Sequence, residues 1–571
     1  MAYRDEYKKW LTMFANDRDT VAELESIAGD EKEIEDRFYT ELAFGTAGLR
    51  GVLGMGTNRM NVYNVRRATT GLAKYLIAQG VQAQGVAVAY DSRIMSDVFA
   101  KETALTLAAN GVKAYLFDAL RPVPVLSYAV RHLGAAAGVV ITASHNPPQY
   151  NGYKVYAADG AQLGPEAADA VTGYIRALQY TDCVPMNEKE ALDKGLLQII
   201  GNKEVDDDYI AMIKTLSPRP ELLAAKGKEL NIVYTPLHGS GNVPVQRLLR
   251  ELGVHYTVVP EQEAPDGRFP TVKAPNPEDP NAFSLAIPLA KQVGATVAFG
   301  TDPDCDRLGA AVQDGNGEWH TLTGNQIACL MLDHILSSKK AAGTLPNNGA
   351  VVKSVVSTEL ARAICADYGV ALCEVLTGFK FIGEKIQQFQ ETGSHTFLFG
   401  FEESFGYLSG TQVRDKDGVN ASLLLCEAAV ACMDRGETLY DALQRLYKKY
   451  GYFKEKSISV TLPGKDGVAK IASIMSAIRE NPPQAVAGLQ VLAVRDFKTG
   501  LRKTADGKEK ALDFPRSNVL YYEIEGGNWL CIRPSGTEPK IKLYVAARAD
   551  TQPAVDQLND KMAAEAQEWL K

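Results

Sequence analysis

Short apolar runs alternate with helical patterns through most of this sequence. Runs such as VAVAY (86–90), NIVYTPL (231–237) and GAVVKSVVS (349–357) are each followed by a segment with helical periodicity. Strands separated by helices predict α/β layers with largely parallel sheets. After Tyr452 the pattern changes to closely spaced strand-like runs flanked by two helical segments. That last part predicts an α+β domain with antiparallel strands.

The chain is too long for a single domain. Its 571 residues exceed the roughly 250–300 that one hydrophobic core supports. We predict three similar α/β domains and a C-terminal α+β domain, with the boundaries 1–209, 210–324, 325–450 and 451–571. The first forty residues, around Trp10, have helical spacing and precede the first strand.

Composition is that of an ordinary globular protein, with 46% hydrophobic and 23% charged residues. The formal net charge of −8 argues against a nucleic-acid partner, because such proteins present a basic surface. The most apolar stretch, 134–143, is far shorter than the ~20 residues that span a bilayer, so no membrane partner is expected. The eight cysteines form no CxxC pair, which predicts a reduced, cytoplasmic protein.

The segment VVITASHNPPQYNGYKVY (139–156) ends an apolar strand in a polar turn. Pro147 and Pro148 cannot continue a strand ladder, so Ser144 is expected at a strand end, where ligands bind in α/β sheets. A serine placed there could be a nucleophile, although a serine in a turn more often caps the backbone. We expect His145 to be a poor base for Ser144, because adjacent side chains point in different directions. The sequence lacks G-x-S-x-G, which weakens a hydrolase interpretation.

The segment FGTDPDCDRLG (299–309) places three aspartates directly after another predicted strand. Alternate residues of an extended chain share a face, so the carboxylates of Asp302, Asp304 and Asp306 are expected to converge. Three hard oxygen donors suit Mg²⁺, which also binds phosphate oxygens. A calcium EF-hand is excluded, because Arg307 stands where that loop requires glycine. The alternative, a solvated acidic turn, would leave three close carboxylates to repel one another.

Two loops have the composition of anion-binding sites. FGTAGLRG (44–51) has glycines whose amides can approach an anion, and Arg50 can pair with phosphate. CIRPSGTEPKIKLY (531–544) places Arg533 and hydroxyl residues in a turn between two strands, which suits a phosphate group. Taken singly, each loop fits an exposed polar turn equally well.

Two further segments offer polar groups that suit a sugar phosphate or its chemistry. GFEESFGY (400–407) follows a strand and presents Glu402 and Ser404, whose oxygens can bind sugar hydroxyls. The alternative is an acidic helix start, since glutamate is favourable there. LTGFKFIG (376–383) sets Lys380 between glycines, as an acid, a base or a phosphate ligand; a lone lysine is more often simply solvated.

Taken together and in this order, these segments resemble the α-D-phosphohexomutase family over almost the whole chain. TASHNPPQYNGYK and GTDPDCDRLG are its most specific motifs, and EESFGY and TGFK are similar to the phosphoglucomutase branch. Bacterial phosphomannomutase-like members carry a histidine shortly after the sugar-loop serine, where this chain has Phe405, Gly406 and Tyr407.

The resemblance implies four domains around a central cleft and a phosphorylated Ser144. Arg50 and Lys154 match family positions near that serine, and the acid/base role is open between Lys154 and Lys380. The implied ligands of Mg²⁺ are an oxygen of phosphorylated Ser144 and the carboxylates of Asp302, Asp304 and Asp306. The expected substrate-binding residues are Thr46, His145, Arg307, Gly378, Glu402, Ser404, Arg533, Ser535, Gly536 and Thr537.

The implied activity is the Mg²⁺-dependent interconversion of glucose 1-phosphate and glucose 6-phosphate, with glucose 1,6-bisphosphate as intermediate and activator. A phosphopentomutase or phosphomannomutase would share every motif except the sugar contacts. A metal-and-serine phosphatase would require histidine pairs that the seven histidines do not provide. A non-catalytic sugar-phosphate sensor would not need both the nucleophile and the metal loop. The expected partners are small sugar phosphates, and the chain is expected to be a monomer or homodimer.

Overall fold

The computed structural model describes residues 2–45, 48–462, 464–535 and 540–570. Within them, four sheets follow one another along the chain. Helices alternate with the strands of the first three sheets, and the fourth sheet is antiparallel. The predicted fold class, three α/β units and a C-terminal α+β unit, is confirmed. None of the helices in these ranges is long and apolar enough to cross a membrane.

The first unit begins with three helices and continues as a six-stranded sheet. Its elements are α1 (Ala2–Met13), α2 (Arg18–Ser26), α3 (Glu31–Phe38), β1 (Leu49–Val52), α4 (Val62–Ala78), β2 (Val86–Tyr90), α5 (Ser96–Ala109), β3 (Ala114–Phe117), α6 (Val123–His132), β4 (Ala137–Ile141), β5 (Tyr150–Ala157), α7 (Pro165–Arg176), α8 (Glu188–Asp193) and β6 (Leu197–Ile200). The strand order is β1-β5-β4-β2-β3-β6, and the pairs β1–β5 and β5–β4 are antiparallel. This edge of the sheet, on which Arg50 and Lys154 both lie, was not predicted from the sequence.

The second unit is a five-stranded sheet. Its elements are α9 (Asp206–Thr215), α10 (Pro220–Lys226), β7 (Asn231–Thr235), α11 (Asn242–Glu251), β8 (His255–Val258), α12 (Pro260–Glu263), α13 (Ala286–Val293), β9 (Val297–Thr301), β10 (Leu308–Gln313) and β11 (Trp319–Leu322). Strands β7, β8 and β9 are parallel, and β10 and β11 extend the sheet through antiparallel pairs. The three aspartates occupy the tight connection between β9 and β10.

The third unit is a four-stranded sheet. Its elements are α14 (Gly324–Ala341), β12 (Gly349–Ser354), α15 (Leu360–Tyr368), β13 (Ala371–Val375), α16 (Phe379–Thr392), β14 (Thr396–Glu402), β15 (Gly406–Leu408), α17 (Gly418–Asp434) and α18 (Leu439–Tyr450). Strands β12, β13 and β14 are parallel, and a short turn joins β14 to antiparallel β15. Glu402 is the last residue of β14.

The fourth unit is an antiparallel sheet with two long helices. Its elements are β16 (Tyr452–Thr461), α19 (Gly464–Glu480), β17 (Ala485–Val486), β18 (Leu489–Asp496), β19 (Leu501–Thr504), β20 (Glu509–Ala511), β21 (Leu520–Ile524), β22 (Asn528–Pro534), β23 (Lys540–Ala549) and α20 (Gln552–Glu568). The main path is β16-β23-β22-β21-β18-β19-β20. Arg533 lies near the end of β22.

Helix α17 joins the second and third units. Its sequence, GVNASLLLCEAAVACMD, is mostly apolar, and nearly all of it is buried. A helix that is hydrophobic all round belongs in the interior. It packs against α14 of its own unit and against α9, α10 and α11 of the second unit. One continuous apolar cluster therefore supports both units.

Candidate active site

Ser144 lies in a buried turn three residues after β4. Its backbone is left-handed, with φ 52°, and only 4% of the residue is exposed. The Ser144 amide donates to Thr142 Oγ1 at 2.8 Å, and Arg93 Nη2 donates to the Ser144 carbonyl at 2.6 Å. The predicted strand-end turn is therefore present, and the backbone around its serine is held on both sides.

The orientation expected of His145 is wrong. Ser144 Oγ and His145 Nδ1 are 3.1 Å apart, although adjacent side chains of an extended strand would diverge. The left-handed conformation of Ser144 removes that divergence. Burial lowers the pKa of His145 well below its ordinary value, and the positive charges of Arg307 and Arg50 lower it further. The imidazole is therefore neutral.

Ser144 faces the metal loop, which we define as residues 302–306. Its hydroxyl donates to Asp302 Oδ2 at 2.7 Å. The extended geometry assumed for this loop is wrong, because the chain turns tightly and Cys305 is left-handed, with φ 50°. The turn is closed by Asp302 Oδ1, which accepts from the amides of Asp306 and Arg307 at 3.1 and 3.0 Å. The carboxylates converge nonetheless, through a turn rather than through alternation.

The metal loop has the donor set of a divalent cation site. One oxygen from each of Asp302, Asp304 and Asp306 lies within 4.8 Å of the others, and all three residues are buried. Asp304 Oδ1 and Asp306 Oδ1 accept no hydrogen bond from any group in the described part of the chain. Unpartnered buried carboxylate oxygens are unfavourable unless a cation binds them. These residues therefore fit Mg²⁺, which prefers oxygen ligands.

Lys154 contacts the metal loop from the first unit. It lies on β5, and its Nζ is 2.8 Å from Asp304 Oδ2 and 3.9 Å from Asp306 Oδ2. Burial alone would raise the pKa of Asp304, but the contact with Lys154 holds it below its usual value. Burial and the other two aspartates raise the pKa of Asp302 well above its usual value. One lysine thus compensates only part of the loop's negative charge.

The sugar loop, which we define as residues 402–405, connects β14 to β15. Glu402 Oε1 accepts from the amide of Gly378 at 2.6 Å. Burial, and secondarily Glu403, raises the pKa of Glu402 to about 7. Ser404 is half-buried in the same turn, and Lys380 lies in the first turn of α16, where burial lowers its pKa. The structure thus brings the predicted sugar-binding segment and the Lys380 segment together.

The sugar loop and the metal loop are joined by backbone contacts. The amide of Leu308 donates to the carbonyl of Phe405 at 3.1 Å, and Arg307 forms a bridge with Gly406. The Arg307 side chain pairs with Glu278, and its Nε is 3.8 Å from Asp306 Oδ1. The residues that follow the metal loop are therefore in direct contact with the sugar loop and with the strand that leaves it.

The remaining predicted residues belong to the two candidate phosphate-binding segments, but Arg50 lies on β1 and Arg533 lies on β22 rather than in the turn that was expected. Arg50 Nη1 donates to Asn146 Oδ1 at 3.4 Å, beside the Ser144 turn. Arg533 is half-buried near the end of β22, and the Ser535 amide donates to the Lys540 carbonyl at 2.7 Å. Three predicted residues lie outside the described part of the chain: Thr46, Gly536 and Thr537.

Two groups of the site were not predicted from the sequence. Arg93 donates to the carbonyls of Ser144, Asn146, Pro147 and Tyr150 and thereby holds the whole turn. Arg93 could have been predicted, because Asp91-Ser92-Arg93 follows β2, which is the neighbour of β4 in the sheet. Lys416, whose Nζ is 3.0 Å from Asp306 Oδ2, stands in the loop before α17 and had no such signal.

Family models match this chain along most of its length. Three models, described as the α/β/α domains I, II and III of phosphoglucomutase/phosphomannomutase, match residues 41–182, 207–315 and 323–450. The model described as the C-terminal domain of the same proteins matches residues 458–565.

Curated relatives are similar over nearly their whole length. A phosphoglucomutase of Staphylococcus haemolyticus is 37% identical over 529 residues, covering 92% of this chain and 93% of the relative. A phosphoglucomutase of Staphylococcus aureus (strain MRSA252) is 38% identical over 540 residues, covering 94% of each.

Solved structures share the fold at lower identity. The open form of pp63/parafusin from Paramecium has a TM-score of 0.68 at 16% identity, covering 93% of this chain and 95% of its own. A phosphoglucomutase/phosphomannomutase family protein from Burkholderia thailandensis has a TM-score of 0.67 at 19% identity, with coverages of 93% and 98%.

Proposed function

The chain belongs to the phosphoglucomutase/phosphomannomutase family, and from that premise we propose that it is an isomerase that interconverts glucose 1-phosphate and glucose 6-phosphate. The observation that carries the proposal is the 2.7 Å hydrogen bond from Ser144 Oγ to Asp302 Oδ2. It sets a candidate phosphoryl carrier against carboxylates that suit a divalent cation.

Asp302, Asp304 and Asp306 would hold Mg²⁺, together with an oxygen of phosphorylated Ser144. Two buried oxygens of the metal loop, which accept no hydrogen bond from the described residues, support this assignment. When bound, Mg²⁺ withdraws charge from the phosphoryl oxygens. The chain's own contribution is to bury the loop, which excludes water that would hydrolyse a phosphoserine.

Phosphorylated Ser144 transfers its phosphoryl group to the free hydroxyl of the sugar monophosphate. A bond forms between phosphorus and the sugar oxygen, the bond between phosphorus and Ser144 Oγ breaks, and the hydroxyl proton passes to a base. The product is glucose 1,6-bisphosphate. The intermediate then reorients in the cleft so that its other phosphoryl group faces Ser144, and that group is transferred back to the serine. Added glucose 1,6-bisphosphate acts as an activator, because it phosphorylates the free serine.

We assign the base to Lys380 rather than to Lys154. The amine of Lys154 is already engaged in a 2.8 Å ion pair with the buried Asp304. Burial lowers the pKa of Lys380, which increases the fraction of neutral amine that can accept a proton. Lys380 also follows Gly378, whose amide contacts Glu402 of the sugar loop.

The other side chains hold the substrate. Glu402 and Ser404 bind sugar hydroxyls, and the amide of Gly378 holds the Glu402 carboxylate in place. The phosphate that is not reacting is held by the loop of Arg533, Ser535, Gly536 and Thr537. The reacting phosphate is contacted by Thr46, Arg50, His145 and Arg307. Arginine suits this role because its planar fork pairs with phosphate oxygens in a bidentate manner.

A substrate panel tests the proposal. Purified protein is assayed with the 1-phosphates of glucose, mannose and ribose, with and without glucose 1,6-bisphosphate, and kcat/KM is compared. We expect glucose 1-phosphate to be preferred and the bisphosphate to stimulate turnover. A preference for ribose or mannose phosphate would instead assign the phosphopentomutase or phosphomannomutase alternative. Absence of turnover on all three would overturn the mutase assignment.

We also propose that the enzyme acts in the cytoplasm, as a monomer or homodimer. All eight cysteines are free thiols, and seven of them are buried, which fits a reducing compartment. Light scattering on the purified protein at micromolar concentration distinguishes the two oligomeric states.

A further inference from the structure

The three N-terminal helices, α1 to α3, have no role in the mechanism above. The match of the first family model starts at residue 41, so these helices lie outside it. They have a buried apolar cluster of their own, separate from the cluster of the first sheet. Two members of that cluster, Tyr63 and Tyr180, come from outside the helices. The helices therefore pack as one body against α4 and the segment that follows α7.

The N-terminal helices hold the loop that follows β1, which we call the exit loop and define as residues 53–57. Glu23 Oε1, on α2, accepts from the amide of Met55 at 2.8 Å. Arg37 Nη1, on α3, donates to the carbonyl of Met55 at 3.1 Å and pairs with Glu23 at 2.5 Å. One ion pair of the helices thus binds both backbone groups of a residue in the exit loop.

The backbone of α3 also lies directly against the exit loop. A Cβ added at Gly56 would lie 2.8 Å from the carbonyl oxygen of Arg37, and the φ of Gly56 is 137°, so only glycine permits this approach. The Arg37 carbonyl accepts from the amide of Asn58 at 2.9 Å and from Thr57 Oγ1 at 3.3 Å. The exit loop is therefore bonded to the helices through backbone groups as well as through side chains.

The exit loop continues β1, which carries Arg50 into the active site. The amide of Leu53 donates to the carbonyl of Gln149 at 2.8 Å, at the far end of the Ser144 turn. Strand β1 has four residues and lies at the edge of its sheet, where it pairs with β5 alone among the described strands. Segments with few contacts open more readily than the centre of a sheet. The position of Arg50, whose Nη1 donates to Asn146 Oδ1 at 3.4 Å, thus depends on what holds the ends of β1.

We propose that Glu23 and Arg37 are positioning residues for the phosphoryl transfer: through the exit loop they fix β1 and hold Arg50 beside the Ser144 turn. The inference deepens the proposed function and rests on it. Phosphoryl transfer depends chiefly on positioning and electrostatics. A displacement of about 1 Å between reacting groups can cost about 100-fold in rate. Helices that hold one end of β1 are placed to prevent such a displacement of Arg50.

The test compares Glu23→Ala, Glu23→Gln and Arg50→Ala with the double variant Glu23→Ala/Arg50→Ala. The readouts are kcat and KM for glucose 1-phosphate, with kcat expressed per folded molecule, as counted from the near-UV circular dichroism. The matched control is Glu31→Ala, which removes another glutamate of the same helices. Glu31 accepts from Arg4 Nε of α1 at 2.6 Å, so this variant breaks an ion pair inside the helices rather than the contact with the exit loop.

We expect Glu23→Ala to lower kcat per folded molecule about 10-fold, because the amide of Met55 and the guanidinium of Arg37 both lose their acceptor. Glu23→Gln should recover part of that loss, because its side-chain oxygen can still accept from Met55. KM should stay within about threefold of the parent, because the sugar loop belongs to the third unit. Glu31→Ala should match the parent in both constants.

The double variant separates positioning from a general structural role. Arg50→Ala and the double variant are assayed at raised enzyme concentration, because both turn over slowly. Adding Glu23→Ala to Arg50→Ala should change kcat by less than about twofold, since the helices no longer have a guanidinium to position. A merely structural role of Glu23 would lower kcat by the same factor whether or not Arg50 is present.

Three results would overturn the inference. One is a kcat per folded molecule within about twofold of the parent in Glu23→Ala or, should that variant not fold, in Arg37→Met. Another is an equal loss in Glu31→Ala, because any damage to the helices would then have the same effect. The third is an unchanged loss from Glu23→Ala in the Arg50→Ala background. Failure of the proposed function looks different: the parent itself would show no mutase turnover, and the inference would fall with it.

Discussion

Ser144 and Asp302, 158 positions apart in the sequence, are joined by a 2.7 Å hydrogen bond. Ser144 follows β4 of the first unit, and Asp302 follows β9 of the second. A second contact supports the first, because the amide of Val123 donates to the carbonyl of Asp304 at 2.9 Å. The site is therefore assembled between two units and exists only while they are docked.

Replacing Ser144 tests the nucleophile. Ser144→Ala removes the phosphoryl carrier, so turnover should fall by about 10³-fold or more. Stability should change by only about 1 kcal/mol, because the side chain contributes few hydrogen bonds. Activity and thermal melting are measured together. Ser338→Ala, at another buried serine, serves as the control and should keep full activity. Comparable turnover in the two variants would remove Ser144 from the mechanism.

Replacing Asp304 tests the cation site. Asp304→Asn deletes a negative charge and weakens the Mg²⁺ ligand set, so turnover should fall about 100-fold and half-activation should need more Mg²⁺. The measurement is activity against Mg²⁺ concentration. Asp314→Asn is a matched control, because Asp314 belongs to a separate acidic group with Glu318 and His320. An unchanged Mg²⁺ response in Asp304→Asn would exclude the metal loop.

Glu402 predicts a pH dependence of stability. Burial, and secondarily Glu403, raises the pKa of Glu402 to about 7. A carboxyl whose pKa is higher in the folded state than in the unfolded state favours folding at low pH, and this contribution is lost as the pH rises through about 7. Glu402→Gln cannot ionise, so its melting temperature relative to the parent should rise between about pH 4.5 and 7 and then level off. A pH-independent difference would contradict this environment for Glu402.

The same variant tests the sugar contacts. Glu402→Gln replaces one of the two hydrogen-bond acceptors of the carboxylate with a donor, so KM for glucose 1-phosphate should rise by roughly tenfold, equivalent to about 1.4 kcal/mol. Steady-state kinetics at about pH 8, where the parent carboxylate is ionised, measures the effect. Parent-like kinetics would place the sugar hydroxyls elsewhere.

Lys380 is tested as the base by two substitutions. Lys380→Met removes the amine and should lower kcat about 100- to 10,000-fold, the usual contribution of general base catalysis. Lys380→Arg should not restore activity, because a guanidinium stays protonated. Lys385→Met is the control, because it lies in the same helix with its amine at the surface, bonded to Gln388. A fully active Lys380→Met variant would return the role to Lys154.

Much of this site follows from the sequence because local chemistry marks it. Pro147 and Pro148 mark the turn between β4 and β5, and three aspartates in five residues need a cation or an ion pair, whatever surrounds them. The orientation of His145 could not be predicted, because it depends on the left-handed turn at Ser144. Lys416 could not be found either, because a single lysine acquires meaning only through the contacts that the fold brings to it.

Transfer of the phosphoryl group through Ser144 is the central claim, and phosphate labelling tests it most directly. The protein is incubated with radiolabelled glucose 1,6-bisphosphate and divided into two portions. One portion is mapped by peptide mass spectrometry, and the other is mixed rapidly with unlabelled glucose 1-phosphate. We expect one phosphoryl group per chain, on Ser144, discharged to the sugar at least as fast as kcat. Label on another residue, or discharge from Ser144 slower than turnover, would contradict the account.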